Sequence, residues 1–433
     1  MDTVFALVDC ENFYVSCERV FDPALREQPV VVLSNNDGCV IARSQTVKDA
    51  GVPMGAPYFQ WEDALDAMGA VVRSSNYALY GDMSRRVICE LEGMALGLER
   101  YSIDEAFLTL PALGRDELRE VARRLQKRIA QRQGVPIRVG IGPTKTLAKV
   151  ADEKAKGNRS GEGGAAALPP PGRVYVCPDG EARTAVLRTV PVEDVWGIGP
   201  ASAETLHARG IETAEQFRRQ PDSWLRRVLT VVGLRLALEL RGRPCLELED
   251  VPESRKSLIR SRSFSGRVTD ESALREAVSK HVQRAAEKLR AEGLVAGHLE
   301  VFITTKRFGD PPYYSNAAGG ALRPVTHHTP TLLRHARRRL QGIYREGPAY
   351  KKAGVTLQHL RPETPRQKHL FGGPDADEEA LMEAVDRLNQ TMGRGTVGFA
   401  AAGGRGKRTW TMKRQQRSPH YTTQWSDLPV AKA

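Results

Sequence analysis

The first 110 residues alternate short apolar runs with turn-rich polar stretches, and a helical period takes over from residue 115. Residues 4–8 are consecutive apolar positions ending at Asp9, which predicts a short buried strand. Residues 10–18 read as a turn into a helix. A second strand is predicted at 29–33, closing in Ser34-Asn35-Asn36-Asp37-Gly38, and a third at 39–42, before a helix that stops near Gly51 and Pro53. At 115–133 the apolar positions Leu118, Val121, Ala122, Leu125 and Ile129 share one helical face. Residues 137–142 return to a strand, and another helix follows from Thr144. This alternation predicts an α+β or α/β catalytic domain.

Residues 160–172, with Gly-Gly-Ala-Ala-Ala and three consecutive prolines, form a loop or linker. Residues 182–242 are mostly helical, and Val195-Trp196-Gly197-Ile198-Gly199-Pro200 fits the turn of a helix-hairpin-helix. Strands at 261–264, 298–306 and 353–357, with helices at 270–291 and from Thr329, predict a second, smaller α+β domain. From Pro362 onward Pro, Gly and charge dominate, so little order is expected beyond a short helix near 377–390.

A chain of 433 residues is long enough for two to four domains with real cores. The hydrophobic fraction is 41% and no apolar run approaches the roughly 20 residues that span a bilayer. Acidic residues near the N-terminus do not fit a signal peptide, and the six cysteines show no C-x-x-C pair, so reduced thiols and a cytoplasmic location are expected. Charge is segregated. Residues 1–110 hold 8 Lys and Arg against 17 Asp and Glu, a balance of −9 that leaves +21 for the remainder of a chain whose net charge is +12. An acidic head with a basic body suits a metal site at one end and a grip on nucleic acid downstream.

The chemistry concentrates at Tyr101-Ser102-Ile103-Asp104-Glu105-Ala106-Phe107-Leu108, where two adjacent acids interrupt a strand-like run. In a regular strand the two would point to opposite faces, so a turn or strand end is predicted there. Alone, the pair fits a solvated hairpin nearly as well as a metal site. Asp9, which also ends an apolar run, is the natural third carboxylate. Three acids on two neighbouring strands suit two divalent cations about 3.5–4 Å apart, a clamp for in-line phosphoryl transfer. Downstream, Lys145, Lys149 and Lys156 fall on one stripe of the helix from Thr144 and suit a triphosphate or, equally, a solvated face. Gly197, Ile198 and Gly199 allow bare backbone N–H groups near a phosphate. Arg260, Arg262 and Arg267 make the second small domain basic, while His327 and His328 have no partner cluster in the sequence.

Several long motifs, in order, resemble the Y-family of DNA polymerases, most closely its UmuC-like branch. They are residues 9–18, SNNDGCVIAR (34–43), SSNYALYGDMS (74–84), YSIDEAF (101–107), TKTLAK (144–149), VWGIG (195–199), SRSF (261–264), GRGTVGFA (393–400) and SPHYTT (418–423). The resemblance implies an α+β right-hand polymerase with a ferredoxin-like palm (1–30 and 76–166), small fingers (31–75), a helix-hairpin-helix thumb (167–242), an α+β little finger (252–360) and a C-terminal tail (361–433). It implies two Mg²⁺ ions held by Asp9, Asp104, Glu105 and the Cys10 backbone carbonyl. Phe13 and Tyr14 would lie at the nucleotide, with Tyr14 as the steric gate that excludes a ribose 2′-hydroxyl, and Lys149 and Lys156 would lie near the triphosphate. Many members carry a Tyr-x-x-Arg pair in the fingers where this chain has Gln45 and Lys48, and Lys48 would contact phosphate less rigidly than an arginine. Gly197, Ile198, Gly199, Arg260 and Arg262 would touch primer-template DNA, and Gln367, Leu370 and Phe371 resemble a sliding-clamp peptide.

The activity so implied is DNA-template-directed, error-prone translesion synthesis from dNTPs in the SOS response, without proofreading. The implied partners are a UmuD-type protein, RecA and a sliding clamp. Two other readings stand beside it: another metal-dependent nucleotidyl transferase or cyclase, and a non-catalytic DNA-binding repair factor. The basic body argues against the first, and the three acids argue against the second.

Overall fold

In the computed structural model of the chain the described residues are 3–157, 173–249, 255–307, 313–363, 376–393, 395–403 and 410–428. They form two compact units, one of Met1–Ser34, Gly38–Pro252 and Gln416–Ala433, the other of Asn35–Asp37 and Glu253–Gln415. The fold is mixed α+β. Among the described residues no helix is long and apolar enough to cross a membrane.

The first unit begins with β1 (Thr3–Cys10), α1 (Phe13–Phe21), β2 (Val30–Leu33), β3 (Val40–Arg43), α2 (Gln45–Asp49), α3 (Tyr58–Ala67) and β4 (Val71–Ser74). It continues with α4 (Tyr77–Glu92), β5 (Gly97–Arg100), β6 (Glu105–Pro111), α5 (Arg115–Gln133), β7 (Ile137–Gly142), α6 (Lys145–Gly157) and β8 (Val174–Val176). A five-stranded sheet has the order β5-β6-β1-β7-β8, and a separate three-stranded sheet has the order β3-β2-β4. The alternation of β1 decides what covers each face of the larger sheet. Ala6, Val8 and Cys10 join the core built with α1, α4 and α5. Phe5 and Leu7 point the other way, with Phe107 and with Ala148 of α6. The close approach of α6 to the sheet depends on glycine: a Cβ at Gly140 would run into the backbone of Asp152 and Ala148. A smaller helical core follows, from α7 (Gly180–Arg188), α8 (Pro200–His207), α9 (Ala214–Arg218) and α10 (Asp222–Leu240).

The second unit runs β9 (Ser257–Val268), α11 (Glu271–Ala291), β10 (Leu294–Thr305), β11 (Ser315–Thr326), α12 (Thr329–Ile343), β12 (Tyr350–Gln358) and α13 (Ala376–Thr391). Its antiparallel sheet has the order β11-β10-β12-β9, a split β-α-β arrangement with α11 and α12 supplying the core on one face.

Elements with a strong apolar period, such as α5 and β7, occupy the residues the pattern predicts. β11 was not foreseen because its small and glycine residues carry no strand signal; it forms an edge, where such a strand, with Pro324 near its end, is tolerated. The expectation of little order after Pro362 is corrected. Beyond α13, Trp410 is buried in the second unit, and residues 416–428 pack on the first. Ser74 N–H donates to the Gln416 carbonyl (3.0 Å), and Gln416 N–H donates to Ser74 Oγ (3.1 Å). These contacts are polar and far apart in sequence, so an apolar pattern does not reveal them. All six cysteines are free thiols.

Gly140→Ala is expected to lower the stability of the first unit by about 1–3 kcal/mol, because backbone of α6 cannot yield as a side chain can. Chemical denaturation of the variant beside the parent chain measures it.

Candidate active site

The sheet register assembles the site. Asp9 lies opposite Glu105 on β6 and opposite Arg138 on β7. Directly paired residues share a face, so Glu105, Asp9 and Arg138 form one row across three strands, on the side covered by α6. Asp104 sits in the turn just before β6, and its carbonyl accepts the Cys10 N–H at 2.9 Å. That turn is tied by Ser102, whose Oγ accepts from the N–H groups of Asp104 (3.1 Å) and Glu105 (3.0 Å) and donates to Asp104 Oδ1 (2.5 Å). The strand end expected at Asp104-Glu105 is therefore present.

Helix α6 supplies partners for this row. Arg138 binds Asp152 through Nε (2.6 Å) and Nη2 (3.1 Å), and its Nη2 also lies 2.8 Å from Asp9 Oδ2. Lys149 Nζ donates to Glu105 Oε1 at 2.9 Å. Burial pushes the Asp9 carboxyl up to about 7; Arg138 opposes this, while Asp152 and Glu105 add to it. Burial also drives the Cys10 thiol well above its ordinary range, with the Asp9 charge adding to the effect.

A cavity of about 500 Å³ opens beside the row. Asp9, Cys10 and Asp104 line it with Phe13 and Tyr14, while Arg43, Lys48, Arg138, Lys156 and Arg173 bring five cations to its wall. The chain reaches Phe13 through Asn12, whose left-handed φ of 48° turns β1 sharply into α1. Tyr14 is half-buried and stacks on Tyr80, with ring centroids 4.4 Å apart and planes at 14°. Burial raises the Tyr14 hydroxyl to about 12, with Tyr77 and Asp104 contributing. Lys48 is lowered by burial and then by Arg43 and Arg138, the signature of a cation crowded by its own kind. Gln45 also lines the cavity and donates to Asp49 Oδ1 at 2.8 Å.

The structure divides the proposed lysine stripe. Lys145 is buried and bonds to Glu99 and to the Glu247 carbonyl, so it holds the fold together. Lys149 faces Glu105, and only Lys156 reaches the cavity, where it pairs with Glu153 and lies 3.7 Å from Asp152. Sequence reading missed Arg138, Arg43 and Arg173. Arg138 lies in a strand that reads as core, and its one signal is a charge within the apolar run 137–142.

Elsewhere, Gly197 adopts φ 93° and Ile198 is buried. Gly199 starts α8, and a Cβ there would meet open space, so this turn presents bare backbone. Trp196 packs edge-on against Tyr101 and donates to its hydroxyl at 2.9 Å. In the second unit, Arg260 and Arg262 alternate with the outward Ile259 and share the side of Leu258 and Phe264. Burial pulls Arg262 down, with Arg284 and Arg260 reinforcing it, and burial with the same two β9 arginines holds His281 down to about 4. Of the two adjacent histidines, His327 Nε2 lies 2.8 Å from Glu363 Oε1, and His328 Nδ1 lies 3.0 Å from Thr331 Oγ1. The clamp-like residues Gln367, Leu370 and Phe371 lie outside the described residues.

Among the described residues no group of three or more His, Cys, Asp or Glu side chains is gathered closely enough to hold a metal ion. Asp9 and Glu105 instead turn to Arg138 and Lys149. The donor chemistry nevertheless fits a hard divalent cation, because the carboxylates of Asp9 and Asp104 offer oxygen to the cavity they line.

Comparison with known proteins places the chain in a family. Residues 8–153 match the impB/mucB/samB family, residues 255–370 its C-terminal domain, and residues 379–431 a domain of unknown function, DUF4113. Protein SamB of Salmonella typhimurium is 41% identical over 99% of this chain and 100% of its own length. The chain belongs to the impB/mucB/samB family. This group lies within the Y-family of DNA polymerases. Protein UmuC of Salmonella typhimurium is likewise 41% identical, over 98% of this chain and 99% of its own. A solved Y-family DNA polymerase chimera of Dbh and Dpo4 shares the fold, with a TM-score of 0.65 and 19% identity over 83% of this chain and all of its own. Y-family DNA polymerases are metal-dependent.

Replacing Arg138 with Met should destabilise the first unit by about 3–5 kcal/mol, since buried Asp152 would lose its two close bonds and keep only Lys156, 3.7 Å away. Denaturant midpoints for Arg138→Met and Arg138→Lys measure it, the lysine losing part of the effect. In the second unit, stability is expected to fall as pH drops from 6.5 towards 4. His281 is held neutral in the fold and takes up a proton more readily when unfolded. Thermal melts across that range should flatten in His281→Gln.

Proposed function

We propose that this DNA-directed DNA polymerase carries out error-prone translesion synthesis, with the Asp9-Asp104-Glu105 edge as its catalytic centre. The observation that carries the reading is the shared row: Asp9 and Glu105 are register partners, and Asp104 is bonded through its carbonyl to the Cys10 amide. Beside them a cavity sets three acids, Asp9, Glu11 and Asp104, against a wall of cations. That polarity suits a nucleoside triphosphate, whose phosphates need cations beside the acids that activate the attacking group.

In this reading a primer 3′-hydroxyl attacks the α-phosphate of the incoming dNTP, and pyrophosphate leaves. Asp9, Asp104, Glu105 and the Cys10 carbonyl would hold two Mg²⁺, which supply charge neutralisation at the attacking and leaving oxygens. Lys156, Lys48, Arg43 and Arg173 orient and neutralise the phosphates. Arg138 holds Asp9 in place, and Lys149 does the same for Glu105 until nucleotide binds. The flat ring of Tyr14 lies under the sugar and leaves no room for a 2′-hydroxyl. The bare turn at Gly197, Ile198 and Gly199 would take DNA backbone without reading sequence. Arg260 and Arg262 would add phosphate contacts. The three-stranded β3-β2-β4 sheet forms small fingers that check the nascent pair loosely, which tolerates damaged template bases. An SOS role with a UmuD-type protein, RecA and a sliding clamp completes the proposal, the last through Gln367, Leu370 and Phe371.

Primer extension on undamaged and abasic templates tests the centre. Asp104→Ala should abolish extension on both, and normal extension by this variant would refute the mechanism. Tyr14→Ala should admit ribonucleotides while retaining dNTP incorporation; unchanged sugar discrimination would remove the gate assignment.

A further inference from the structure

Residues 416–428 lie in the domain of unknown function, and the reaction above gives them no task. Their contacts on the first unit converge on one buried acid. Glu18 is 1% exposed, one helical turn beyond Tyr14 on α1. Its Oε1 accepts the hydroxyl of Tyr80 at 2.7 Å and that of Ser418 at 3.0 Å. Ser418 is itself buried, and its Oγ accepts from Asn76 Nδ2 at 3.0 Å. The same amide reaches the carbonyls of Ser418 (3.3 Å) and Pro419 (3.1 Å). Asn76 also caps α4, the helix that carries Tyr80. Three residues further along, Tyr421 stacks on Phe21 at the end of α1, with centroids 5.0 Å apart and planes at 7°.

The tail therefore fastens α1 and α4 together behind the stack of Tyr14 on Tyr80. Burial raises the Glu18 carboxyl, and the Tyr80 and Ser418 hydrogen bonds oppose the rise. A buried acid that loses a donor must find another, and Tyr80 is the one remaining. Tyr14 rests on the Tyr80 ring, so a shift of that ring moves Tyr14 with it.

We propose that residues 416–423 act as a strap that positions the sugar-selecting Tyr14 through Ser418, Glu18 and Tyr80. Ser418 and Glu18 are positioning residues, and the inference rests on Tyr14 being the gate. The ratio of kcat/KM for a dNTP to that for the matching ribonucleotide, measured by single-nucleotide primer extension, is the readout. It is unaffected by a loss of folded protein, because both substrates meet the same active fraction.

In Ser418→Ala the ratio should fall by about fivefold, the effect of one lost hydrogen bond, and in Glu18→Ala, which removes the acceptor of both hydroxyls, it should fall at least as far. Glu18→Gln keeps an acceptor for both hydroxyls and should retain the parent ratio. A chain ending at Gln415 should lose at least as much selectivity as Ser418→Ala, and if that chain fails to fold, the point variants decide. Amide exchange over residues 13–21 should quicken in Ser418→Ala. If the ratio is unchanged in Ser418→Ala and Glu18→Ala while Tyr14→Ala admits ribonucleotides, the strap is refuted and the gate stands. If Tyr14→Ala also leaves the ratio unchanged, gate and strap fall together.

Discussion

A single guanidinium governs the arrangement of the first unit. Arg138 is almost fully buried, binds Asp152 on α6 with two nitrogens and reaches Asp9 on the neighbouring strand. Burial alone would weaken its charge, but the Asp152 bonds and the Asp9 charge raise its pKa instead. The contact fixes where α6 lies on the sheet, and α6 in turn places Lys149 over Glu105 and Lys156 at the cavity wall. Gly140 makes room for the same helix. The backbone approach and the ion pair thus specify one geometry by independent means, a consistency that narrows the alternatives open to the chain.

The arrangement also sets Asp9 and Glu105 side by side in the sheet, each turned to a cation. Burial raises the Asp9 carboxyl, and the neighbouring charges of Asp152 and Glu105 add to the rise. Arg138 and Lys156 oppose it without removing it. The register of the five-stranded sheet holds Asp9 beside Glu105 and Arg138, so these charges face one another through backbone pairing.

Much of this was legible in the residues. The apolar run ending at Asp9 and the acids at Asp104-Glu105 located the site because strands bury their runs and end at charge. The sharp periodicity of α5 and β7 made those elements visible. What escaped depended on register and on long-range polar contacts. Whether Lys145 or Lys156 faces the cavity cannot be told from a 40° stripe, since both share it and only packing separates them. Arg138 reads as an interruption of a core strand until Asp9 and Asp152 are set beside it. β11 is hidden by alanine and glycine, and the packing of residues 416–428 by contacts that are largely polar and far apart in sequence. Hydrogen bonds such as Ser418 to Glu18 leave no periodic trace.

That last bond spans 400 positions of sequence. During synthesis at 5–20 residues per second, Glu18 emerges roughly 20–80 s before Ser418 is made. Once α4 has followed, the α1–α4 pair has Tyr80 but lacks its final fastening until Ser418 is made. The growing chain therefore passes through a stage in which the acid-bearing sheet has been made while part of its support has yet to be translated. The hydrogen bond between these two residues waits on the synthesis of Ser418, 400 positions after Glu18.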